Sequence, residues 1–120
     1  MNKTHYYRVT EEYISPYPHP IIFQKGDSVK IGEEFTENPE WEKWIWCEGT
    51  NNRKAWVPKQ YLDVRGKKGT FKREYNAMEL SVSVGDRLCV YESLNGFAFA
   101  EKTDGVSGWV PLKNIKLEES

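Results

Sequence analysis

Cysteine is scarce in this chain. There are two in 120 residues, Cys47 and Cys89, far apart and with no CxxC or other metal-ligand spacing. The opening Met-Asn-Lys-Thr-His-Tyr-Tyr-Arg holds no apolar core of a secretory signal, which predicts a cytoplasmic location and two free thiols. An excess of either charge is lacking as well: 17 basic residues face 18 acidic ones, for a formal net charge of −1. A nucleic-acid binder needs a basic excess to neutralise phosphates, so that class is set aside. Long apolar runs are missing, Ile21-Ile22-Phe23 being typical, and this rules out a membrane-spanning helix. The two histidines are His5, near the terminus, and His19, between prolines. No GxGxxG, phosphate-binding loop, GxSxG or HExxH occurs. The expectation is therefore a protein that is not an enzyme and carries no cofactor and no metal.

What the chain does have is aromatic weight. Aromatic residues make up 14% of it, with five Trp, although hydrophobic residues reach only 38%. Disordered chains are poor in aromatics, so this one folds. It also repeats itself. Trp44-Ile45-Trp46-Cys47-Glu48 reads like Phe97-Ala98-Phe99-Ala100-Glu101, and Ala55-Trp56-Val57-Pro58 reads like Gly108-Trp109-Val110-Pro111. Both matches have the same offset of 53 residues, and it persists from Leu62 to Ile115 and from Val64 to Leu117. Upstream, Phe23 to Ile31 matches Val82 to Val90 at an offset of 59, so the first copy has six extra residues before Trp44. Several motifs recurring in one order make the repeat a strong signal.

Each copy reads as short strands. Val29 and Ile31, like Leu88 and Val90, alternate with polar neighbours at the period of a half-buried strand. Gly26-Asp27 and Gly85-Asp86 supply turns before these strands, and Asn51-Asn52 and Asp104-Gly105 predict equivalent hairpins. The expected fold is all-β: two small barrels in tandem, each of about five antiparallel strands. The predicted boundaries are an extension at 1–7, a first barrel at 8–64, a short charged linker at 65–69, a second barrel at 70–117 and a tail at 118–120.

These motifs resemble the Src-homology-3 (SH3) family, twice over, across nearly the whole chain. The family pattern runs through ALYDY, ELSF, GD, an aromatic pair, then G-aromatic-aliphatic-P before xNY. The second copy carries Tyr75-Asn76-Ala77, Glu79-Leu80-Ser81, Gly85-Asp86, Phe97 and Gly108-Trp109-Val110-Pro111. The first carries Val9 to Tyr13, Phe23, Gly26-Asp27, Trp44 and Ala55-Trp56-Val57-Pro58 with Tyr61. The resemblance implies a shallow aromatic groove that grips proline-rich peptides in their preformed extended helix. The implied peptide-binding set is Tyr13, Tyr17, Trp44, Pro58 and Tyr61, all in the first copy. The second copy keeps Tyr75 and Pro111, has Phe97 for the groove Trp and Asn114 for the last Tyr, and places Arg73 at the first ALYDY tyrosine, so its groove is the poorer one. Trp46, Trp56, Phe99 and Trp109 read as scaffold or outer-face residues. Cys47 aligns with a buried small residue and Cys89 with an outward position.

The first copy also departs from the family. Its loop Ser15-Pro16-Tyr17-Pro18-His19-Pro20 has no carboxylate to pair with a basic ligand. Acids gather instead in the insertion, at Glu33, Glu34, Glu37, Glu40 and Glu42, where Asn38-Pro39-Glu40 predicts a short helical turn. The prolines themselves resemble a ligand, which suggests self-association. The functional expectation is a protein- or peptide-binding module whose partner carries an extended or proline-rich segment, with no nucleic acid and no membrane. Two alternatives stand beside it: an accessory subunit that packs on a larger complex, and a cell-wall-binding relative.

Overall fold

A computed structural model describes residues 5–16, 19–36 and 43–118. Tyr17, the helical turn expected at 38–40, and Glu37, Glu40 and Glu42 lie outside the described residues. The fold is all-β. The strands are β1 (His5–Val9), β2 (Ile22–Phe23), β3 (Ser28–Glu34), β4 (Trp44–Glu48), β5 (Lys54–Pro58), β6 (Leu62–Arg65), β7 (Lys68–Phe71), β8 (Tyr75–Asn76), β9 (Arg87–Leu94), β10 (Phe97–Lys102), β11 (Ser107–Pro111) and β12 (Ile115–Leu117). A single 3-10 turn follows β5 at Lys59–Tyr61, and another follows β11 at Leu112–Asn114. Both expected hairpins form: β4 pairs with β5 around Asn51-Asn52, each at positive φ, and β10 pairs with β11 around Gly105.

The strands assemble into two five-stranded antiparallel sheets, ordered β11-β10-β9-β1-β12 and β5-β4-β3-β7-β6. These orders interleave the two sequence repeats. β1, from the first repeat, sits between β9 and β12 of the second, with Tyr7 opposite both Leu88 and Leu117. β7, from the second repeat, sits between β3 and β6 of the first, with Gly69 opposite both Val29 and Val64. The compact units are accordingly Met1–His19 with Met78–Ser120 (unit 1) and Pro20–Ala77 (unit 2). Contiguous barrels at 8–64 and 70–117 are not what the strand pairing produces, and neither a separate extension at 1–7 nor a linker at 65–69 survives.

The cause is local. Arg65 pairs directly with Lys68, so the supposed linker is a two-residue hairpin turn, Gly66-Lys67. Gly66 has φ +61° and Lys67 is not at positive φ, the pattern of a type II′ turn. Closing so short a loop costs far less chain entropy than pairing β6 with a strand more than fifty residues upstream. Once β7 occupies that seat, β1 takes the equivalent seat in unit 1.

Side-chain shape reinforces the exchange. A Cβ on Gly69 would lie 2.7 Å from Cδ1 of Ile31 and 3.3 Å from Val29, so the seat in unit 2 has no room for a side chain there. The residue at the same register in unit 1 is Tyr7, which packs on an aliphatic core of Val9, Leu80, Val82, Leu88, Ala98, Ala100, Val110 and Ile115. Unit 2 is filled differently: Phe71 stacks on Phe23 at 4.6 Å and on Tyr75 at 5.9 Å.

Candidate functional site

Exchange redistributes the residues predicted to form a groove. Unit 2 collects Trp44, Pro58 and Tyr61 from the first repeat and Tyr75 from the second. Unit 1 collects Tyr13 from the first repeat and Phe97, Pro111 and Asn114 from the second. The predicted set of Tyr13 with Trp44, Pro58 and Tyr61 is therefore split, because Tyr13 follows β1 into the other unit. Tyr75 replaces it.

In unit 2, Trp44 and Pro58 face each other across β4 and β5. The 3-10 turn at Lys59–Tyr61 then directs Tyr61 toward Tyr75, with ring centroids 5.1 Å apart and edge to face. The Tyr75 hydroxyl donates to the Trp56 carbonyl at 2.7 Å. Arg73 lies 4.4 Å above the Tyr61 ring, a cation–π contact that covers the tyrosine face. The Lys59 ammonium binds the Glu34 carboxylate, so one of the insertion acids is engaged internally. Trp44 is 7% exposed, Tyr61 4% and Tyr75 2%, and Pro58 is fully buried. These four side chains of unit 2 are thus all buried.

In unit 1 the same frame carries different chemistry. Phe97 faces Pro111 as Trp44 faces Pro58, and both are buried. Asn114 stands at the register of Tyr61 and acts as a clamp. Its amide nitrogen donates to the carbonyls of Glu11 (3.2 Å) and Glu12 (3.1 Å), and its own carbonyl accepts from the backbone of Thr10 and Glu11. Its Oδ1 is buried without a hydrogen-bond partner, which limits the net gain from the clamp. Tyr13 donates its hydroxyl to Glu79 Oε1 at 2.6 Å, and the Ser15 amide donates to Ser81 Oγ at 2.9 Å. Burial pushes the Glu79 carboxyl above its usual value, while hydrogen bonds from Tyr13 and Ser15 pull the other way.

Arg73 and Glu79 are the two partners that the sequence alone did not single out as site residues. The signal for Glu79 lay in the repeat: at the offset of 59 the first copy has Pro20, which offers no acceptor side chain to Tyr13. The tryptophans read as scaffold pack on one another, Trp46 on Trp56 at 5.2 Å, with Phe35 on Trp56 at 5.4 Å, and Phe99 on Trp109 at 5.2 Å. Both cysteines are free. Cys47 is fully buried, and burial pushes its thiol up to about 12, so it is not nucleophilic at neutral pH.

No curated protein and no solved structure matches the chain. A family model does, the variant SH3 domain, and it matches twice, over residues 6–65 and 65–118. Domains of this kind are in general protein-interaction modules and typically non-catalytic. The two matches together span nearly the whole sequence and equal the five-stranded units in number, though each match is contiguous where the units exchange a strand, and on that ground the chain belongs to the variant SH3 family as a tandem member.

Proposed function

We propose that the protein is a non-enzymatic interaction module and that unit 2 binds an extended, proline-rich segment through Trp44, Pro58, Tyr61 and Tyr75. The supporting observation is the unequal assembly of the aromatic set. Unit 2 brings two tyrosines to 5.1 Å beside a Trp–Pro cross-strand pair, whereas unit 1 has Asn114 where the second tyrosine belongs. Flat aromatic faces at this spacing grip proline rings, and buried aromatics dominate such interfaces. The set is closed in the free chain, so binding couples to its exposure. Apparent affinity falls in proportion to the open fraction.

A titration of the labelled protein with proline-rich peptides tests this. Indole and tyrosine signals of unit 2 should shift, and Trp44→Ala should weaken binding at least about tenfold, while Phe97→Ala leaves it unchanged. Absence of any shift in unit 2 at about 1 mM peptide would sink the reading.

A second reading rests on the same burial. With Trp44 and Tyr61 covered, the barrels are presented to a partner by their outer faces, as in an accessory subunit of a larger complex. Stoichiometric co-purification with a partner, unaffected by Trp44→Ala, would favour that reading.

A further inference from the structure

Both units place a row of cations across neighbouring strands, and they treat it in opposite ways. In unit 1 the row is Lys116, Arg8 and Arg87, paired across β12, β1 and β9. Like charges directly opposite one another destabilise a sheet. Unit 1 relieves this internally: Glu118 Oε2 bridges Arg8 Nε at 3.2 Å and Arg87 Nε at 3.1 Å, and the Tyr6 ring lies 3.9 Å from the Arg87 guanidinium.

In unit 2 the row is Arg65, Lys68 and Lys30, paired across β6, β7 and β3, with Lys67 in the adjoining turn. Their neighbours on the strands, Val29 and Gly69, point inward, so these side chains project outward and all four residues are exposed. No bridging carboxylate serves this row among the described residues. Among the described residues Lys30, Lys67 and Lys68 form no ion pair. Glu48, opposite Lys30, is drawn to Lys54 at 3.9 Å, and Asp63 forms an ion pair with Arg65 at 3.7 Å, with the Arg side chain 87% exposed. At the register of Arg65 unit 1 has Glu118, the very residue that neutralises its own row.

We infer that the Arg65–Lys68–Lys30 row of unit 2 is a docking site for an acidic, extended protein segment. Such a segment supplies in trans the carboxylates that Glu118 supplies within unit 1. The charge pattern favours a peptide over a nucleic acid or membrane. The cations at this site are few, the chain has a net charge of −1, and Glu48 opposite Lys30 and Asp63 beside Arg65 oppose a continuous phosphate track. The site is separate from the groove set of Trp44 and Tyr61, so it stands or falls independently of the function proposed above.

The test is a titration of the full chain with an extended Glu-Ser repeat peptide, followed residue by residue by NMR. Shifts should centre on Lys30, Arg65, Lys67 and Lys68, and binding should weaken severalfold as salt rises from about 20 to about 150 mM. Lys68→Glu should weaken binding about tenfold and, by turning two like-charge pairs into opposite-charge pairs, should raise the thermal midpoint of the free protein. Lys68→Ser guards against a folding artefact and should weaken binding to a lesser degree. Unchanged peptide binding in both variants would overturn the inference. So would tighter binding to duplex DNA or to anionic lipid vesicles than to the peptide.

Discussion

Unit 1 and unit 2 share a strand order, a pair of hairpins and a 3-10 turn after a proline, yet they hold their exchanged strands by different means. Unit 2 secures β7 with ring contacts: Phe71 on Phe23, Tyr75 on Tyr61, and Arg73 over Tyr61. Unit 1 secures β1 with aliphatic packing and polar clamps: Asn114 on the carbonyls of Glu11 and Glu12, and Tyr13 on Glu79. The difference teaches that each arm is fitted to the seat it occupies. Tyr7 has no room where Gly69 lies, and the clamp of Asn114 acts on backbone groups where Tyr61 needs a ring and a cation.

The strongest way to break the comparison is to remove the ring that anchors β7. Phe71 is 2% exposed and stacks on two other aromatics, so Phe71→Ala should destabilise unit 2 by about 3–5 kcal/mol. Hydrogen exchange read separately for the two units would show protection lost across β3, β4, β6 and β7. Equal loss in both units would mean that they unfold as one body. A smaller effect comes from filling the glycine seat. Gly69→Tyr copies the residue that unit 1 uses, and overpacking against Val29 and Ile31 should cost about 1–3 kcal/mol. A neutral outcome in chemical denaturation would show that Ile31 yields and that shape does not select the arm.

Much of this was legible in the residues. Period-two alternation, turn residues and the doubled motif order located the strands around Val29, Trp44, Leu88 and Phe97 and both hairpins, because these features depend on near neighbours. The exchange was not legible from the repeat. Both arms fit the same family pattern, so Tyr13 and Tyr75 satisfy it equally in contiguous or exchanged pairing. Only the spacing of Val64, Arg65, Lys68 and Gly69 decides the matter. A two-residue turn between them makes β6 and β7 partners, and that turn had the look of a linker because it is charged and contains glycine. The predicted peptide-binding set was split for the same reason: Tyr13 follows β1 into the other unit, apart from Trp44, Pro58 and Tyr61.

A difference at the turns sharpens the comparison. In both units an aspartate accepts from a backbone amide across the turn, Asp27 from Gln24 and Asp86 from Ser83. Unit 2 adds Arg53, which contacts Asp27 at 3.4 Å, donates to the Ile22 and Thr50 carbonyls, and lies 4.7 Å from the Phe23 centroid. At the same offset unit 1 has Val106, an exposed apolar side chain. Arg53→Ala should cost unit 2 about 1–2 kcal/mol, and Val106→Ala should stay within about 0.5 kcal/mol for unit 1. Thermal denaturation of the pair measures the contrast, and equal shifts would remove Arg53 as a distinguishing brace.

The smallest expected effect concerns pH and belongs to unit 1 alone. Burial raises the Glu79 carboxyl above the 4.5 of the unfolded chain, so the folded state binds its proton more tightly. Stability from this group is therefore fully present below about pH 4.5 and is lost as pH rises through the raised value. Glu79→Gln keeps an acceptor for the Tyr13 hydroxyl and removes the titration, so the unit 1 midpoint should lose its decline above about pH 4.5. Tyr13→Phe should do the opposite. Without the hydroxyl donor the carboxyl rises further, because that bond is one of the two that hold it down, and the decline steepens. If both variants keep the slope of the parent chain, the pH response arises elsewhere. The Tyr13–Glu79 bond would then fasten the arm without setting its proton.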